Sequence, residues 1–119
     1  MKSILSFLTL TFAAAAAVAT PDISCKAIYR TVENDRLIET VAAMPLADRT
    51  PGHERFSVDH EGRHFSVLLE GTTSALVQIV QPPNYTQGLV MRASPDAQGR
   101  LNLAEVLGYT VYKIECLKK

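Results

Sequence analysis

Two cysteines set the strongest limit on what this chain can fold into. Cys25 and Cys116 stand 91 positions apart. A bond between them would oblige the first and last structured segments to lie side by side, and closing so long a loop stabilises a fold by roughly 4 to 5 kcal/mol in the chain-entropy picture. Such bonds persist in exported proteins, and the N-terminus has the layout of an export signal. Met1-Lys2-Ser3 gives a short positive start, Ile4 to Ala19 carries no charge, and Ala17-Val18-Ala19 fits small-x-small cleavage. The apolar run is shorter than the roughly 20 residues that span a bilayer.

The expectation is therefore a cleaved signal over residues 1–19, no lasting membrane anchor, and a secreted or periplasmic destination. Residues 20–119 then form one domain. Asp22-Ile23-Ser24 are the wrong residues for a lipobox, which leaves Cys25 free to pair with Cys116.

Charge excludes one class of partner. Removing residues 1–19 takes away only Lys2 of the 12 basic residues, leaving 11 against 12 acidic ones, a net −1. Apart from Lys118-Lys119 the basic residues are spread singly, with none of the stripe or patch that a nucleic-acid binder shows. A chain of this length buries only about two thirds of its unfolded surface, so its core is thin and the bridge matters.

Short runs of Val, Ile, Leu, Phe, Tyr and Thr, separated by Gly, Pro, Asn and Asp, read as an all-β antiparallel meander. Eight strands are expected near residues 24–32, 37–43, 55–60, 63–70, 73–81, 88–93, 100–105 and 109–117. Residues 34–44 also admit a capped helix and 103–108 one helical turn, but the first run is short and follows a turn-like Glu33-Asn34-Asp35-Arg36. Around Glu61-Gly62 the alternation requires Val58 opposite Phe65 and Phe56 opposite Val67; a one-residue slip would set apolar against polar throughout. Cys25, Ala27 and Tyr29 share a face near the start, as do Tyr112, Ile114 and Cys116 near the end. An even-stranded up-and-down meander brings such ends together, which predicts a closed or nearly closed barrel, with a two-sheet sandwich as the alternative.

The residues with chemistry give no converging set. His53, His60 and His64 cluster with Asp59 and Glu61, but the hairpin register sets His64 against Asp59 on the outer face and leaves His60 at the turn, so no metal site is expected. Ser57 and Ser66 lack a Gly-x-Ser-x-Gly elbow, and the six glycines are scattered singly, without a phosphate loop. No catalytic residue and no cofactor are assigned.

What remains is three loops, at residues 44–53, 81–87 and 94–99. The second is the most distinctive: Pro82-Pro83 stiffen a turn that presents Asn84-Tyr85-Thr86. A tyrosine on a stiff loop is a good contact residue, although it also suits a lid over the end of the core. Asn84-Tyr85-Thr86 is a glycosylation sequon in a eukaryotic source. These features point to a monomeric, non-enzymatic binding module, inhibitor-like in type, that meets a protein partner through Pro82, Pro83, Asn84 and Tyr85. A small-ligand carrier using the barrel interior, and an enzyme of unfamiliar type, are the alternatives.

Overall fold

The computed structural model describes residues 23–71 and 73–118; the expected export signal over residues 1–19 and its expected cleavage point lie outside the described residues. Nine strands run in chain order as β1 (Ile23–Glu33), β2 (Arg36–Met44), β3 (Leu46–Thr50), β4 (His53–His60), β5 (Arg63–Glu70), β6 (Ser74–Val80), β7 (Gly88–Ala93), β8 (Leu101–Leu107) and β9 (Thr110–Lys118). They form two antiparallel sheets among the described residues, ordered β2-β1-β9-β8 and β3-β4-β5-β6-β7.

Turn chemistry fixes the hairpins. Asn34 and Asp35, with φ of 52° and 62°, close β1 on β2 in two residues, with Glu33 opposite Arg36. Two left-handed residues in succession match the twist of the flanking strands, and Asn and Asp tolerate that backbone better than most side chains. Residues 36–44 are thus strand, paired along their length with β1. Glu61 and Gly62 make the same kind of turn, and Val58 lies opposite Phe65 and Phe56 opposite Val67, as the alternation requires. Residues 103–107 are likewise strand.

The expected barrel does not close. β2 runs through Pro45 straight into β3, and the two belong to different sheets. Proline has no N–H to continue a ladder, and the Pro45 carbonyl instead accepts a hydrogen bond from the Ser57 N–H at 3.2 Å, bending the strand onto β4. At the other corner, β7 and β8 are joined by residues 94–100 and share no ladder. With pairing lost at two corners, the ring of strands flattens into a sandwich. If β2 and β3 are taken as one bent strand, the eight-stranded meander is recovered. The loop expected at residues 44–53 is mostly strand, β3, with Ala47 as an extra residue in its register against β4.

Cys25 lies directly opposite Cys116 on neighbouring strands, and the two are bonded with their Cα atoms 4.0 Å apart. Both side chains point inward, as their phase in the strands implies. They join Ala27, Met44, Leu101 and Ile114 from one sheet and Phe56, Phe65, Val67, Val77 and Ile79 from the other. Phe65, Ile79, Ile114, Val67 and Val77 are fully buried and fill the centre.

Candidate functional site

The loop after β6, residues 81–87, is built by its own backbone. The Gln81 N–H donates to the Gln87 carbonyl and the Tyr85 N–H donates to the Gln81 carbonyl, each at 2.9 Å. The Pro82–Pro83 peptide is cis, and Tyr85 has φ of 56°. Pro83, Asn84, Thr86 and Gln87 are exposed and Pro82 is half-buried. Gly88 ends the loop at a close approach of two backbones, since a Cβ there would lie 2.1 Å from the Ile79 carbonyl oxygen.

Tyr85 is 54% exposed. Its ring meets His64 edge-on, with centroids 5.8 Å apart, on the outer face of the second sheet. Together with Gln78, Val80 and Val90 these two rings wall an open depression of about 230 Å³. The ladder explains the grouping: Asp59, His64, Val80 and Gly88 form one row across β4, β5, β6 and β7, and Ser57, Ser66, Gln78 and Val90 form the next. Residues two apart on a strand share a face, so both rows look outward.

Electrostatics in these rows is simple. His64 Nδ1 lies 2.7 Å from Asp59 Oδ1. An ionised carboxylate only accepts, so Nδ1 carries the proton and Nε2 is left as the acceptor of the neutral ring. Asp59 is the one carboxylate in the two rows. Arg92, on the row beyond, is turned away and bonded to Glu70.

The other histidines stand elsewhere, and among the described residues no three His, Cys, Asp or Glu side chains come together in metal-binding fashion. His53 lies against the Pro51 carbonyl at 3.3 Å. His60 looks inward between the sheets, 3.0 Å from Thr40 Oγ1, and Thr40 donates its only hydroxyl proton to Glu61 at 2.7 Å. The hydroxyl must therefore accept from His60, which places a proton on His60 Nε2.

Beside His60 lies a group that the sequence did not reveal. Arg63 reaches from β5 to Glu105 of β8 at 3.1 Å, both side chains being largely buried, and its guanidinium sits 4.4 Å from the centre of the Tyr112 ring. Tyr112 in turn packs against Tyr29 and Phe65. Since no ladder joins β7 to β8, this polar and aromatic cluster ties the two sheets at that end. Arg63 and Glu105 occupy inward-phase positions, and that was the available signal.

A second surface was also missed. Val32, Leu37, Val106, Leu107 and Tyr109 are all exposed at the tips of the β1–β2 and β8–β9 hairpins. At the opposite end of the sandwich two open grooves, of about 490 and 670 Å³, share Leu69 and Gly71. Compared with known proteins, the chain matches no protein family, no curated protein and no solved structure.

Proposed function

We propose that this chain is an exported, non-enzymatic binding module that meets a protein partner through Tyr85 and the loop of residues 81–87. The observation that carries this reading is the loop itself. It is closed by two backbone hydrogen bonds and holds a half-exposed tyrosine at a left-handed φ. Side chains beyond Cβ gain nothing from that backbone, and a non-glycine residue there costs of order 1 kcal/mol or more. A strained tyrosine leaning over an open depression is more readily explained by contact than by packing. Ordering a side chain at an interface costs roughly 0.5 to 1.5 kcal/mol, and a loop already ordered avoids part of that cost.

The disulfide suits an oxidising compartment, which supports the reading of residues 1–19 as an export signal. The carrier reading needs interior volume that Phe65, Ile79 and Ile114 occupy. The enzyme reading has little to rest on, because the three histidines diverge and both cysteines are bonded.

The test is Tyr85→Ala. Alanine keeps the Cβ and hence the backbone cost, so the variant removes only the ring. Once a partner is in hand, binding should weaken by about 2 kcal/mol or more while the melting temperature moves little. Lost stability with intact binding would mean that the ring serves the fold, and the proposal would fail.

A further inference from the structure

The depression beside Tyr85 has a chemistry of its own, and assigning its occupant rests on reading that loop as a protein contact. Val80 and Val90 give it an apolar floor, Tyr85 an aromatic wall, Gln78 a carboxamide, and His64 an imidazole whose Nδ1 is held by Asp59, which leaves Nε2 as the acceptor of the neutral ring. An occupant therefore has to donate hydrogen bonds, to tolerate an aromatic face, and to suit a local negative charge. We infer that the occupant is an arginine side chain of the partner protein.

Charge complementarity is the first reason. Asp59 is the only formal charge in the two outer rows that frame the depression, and its carboxylate is mostly exposed. The other ionisable groups on the neighbouring strands are already engaged: Arg55 pairs with Asp48, and Arg92 pairs with Glu70. Geometry is the second. A guanidinium is flat and lies against an aromatic ring, and its fork of N–H groups can reach a ring nitrogen and a carboxamide oxygen together. Lysine presents a compact, strongly hydrated point charge and fits a stacked site less well.

The depression is lined by His64 from β5, Tyr85 from the loop, Gln78 and Val80 from β6 and Val90 from β7, and Asp59 of β4 stands behind His64 in the same row.

The experiment uses the disulfide-bonded protein and two blocked tripeptides, acetyl-Gly-Arg-Gly-amide and its citrulline counterpart, which has nearly the same shape and no charge. Amide and side-chain NMR shifts report the site. Saturable shifts at His64, Gln78 and Val90 are expected from the arginine peptide, with Kd on the order of 1 mM. The citrulline peptide, the Tyr85→Ala variant and the Asp59→Asn variant should each weaken binding about fivefold or more. Asp59 is exposed, so unchanged melting of Asp59→Asn keeps that comparison clean.

Equal binding of the citrulline peptide, or shifts confined to other residues, or no binding of either peptide, overturns the arginine assignment. If Tyr85→Ala still weakens an identified partner while the arginine peptide fails, the protein-contact proposal stands and only its chemistry was wrong.

Discussion

Removing the disulfide tests how much of this fold depends on joining its ends. The variant is Cys25→Ala/Cys116→Ala, with alanine preferred to serine because the two sites are 5% and 0% exposed and buried hydroxyls without partners would add a cost of their own. A closed loop of 91 residues corresponds to about 4.6 kcal/mol at 25 °C in the chain-entropy model. That is large against the roughly 5 to 15 kcal/mol that hold a small domain together. At about 4 to 8 °C per kcal/mol, the melting temperature should fall by about 20 to 35 °C. The β1–β9 ladder has seven residue pairs besides Cys25 with Cys116, so the folded variant should keep its strand content. Thermal and urea unfolding of the two forms provide the assay. The urea slope should rise in the variant, because its unfolded chain exposes more surface. A fall of less than about 5 °C with an unchanged slope would refute the argument, showing that the unfolded chain is already constrained without the bond.

Arg63→Met should cost about 3 kcal/mol by leaving Glu105 buried and unpaired, and adding Glu105→Leu should recover most of it; urea midpoints of the single and double variants decide. Gly88→Ala should destabilise by at least about 2 kcal/mol, because its Cβ would meet the Ile79 carbonyl at 2.1 Å; a near-neutral thermal melt would disprove the close approach. The backbone N–H of Arg100 is the main cause holding the Asp96 carboxyl below its ordinary 3.8, with the Gln98 N–H and the Arg100 side chain adding to it. A depressed folded value stabilises above the ordinary one and is lost as pH falls through it, so the Gln98 and Arg100 amide resonances should shift together below about pH 4. Independent or absent shifts would dissociate the loop from that carboxylate.

Much of the fold was legible because it is local. Asn34-Asp35 and Glu61-Gly62 each dictate a two-residue turn, and one fixed turn sets the register of a whole hairpin. β3 was not legible. Leu46-Ala47-Asp48-Arg49-Thr50 has little alternation of its own and is strand because β4 offers it partners, with Ala47 bulged to fit. The choice between barrel and sandwich turned on whether Pro45 and residues 94–100 let the corner strands pair, and no neighbouring residue decides that. Around the candidate site, the Asp59–His64 pair followed from the hairpin. Arg63 with Glu105 did not, because the two lie on strands of different sheets 42 residues apart in sequence. The direction of Tyr85 depends on the same kind of distant contact, with His64.

The bond between Cys25 and Cys116 also makes most of this molecule a covalent ring. A single cut by a protease anywhere between those two residues, for instance in the exposed segment around Ala97 and Gln98, opens the ring and releases nothing. The two pieces remain one molecule, still laced by every ladder that the cut does not interrupt. A fragment leaves only after a second cut or after reduction of a bond whose Cys116 side is closed to solvent. In surroundings rich in proteases, the first cut is then damage that the protein survives.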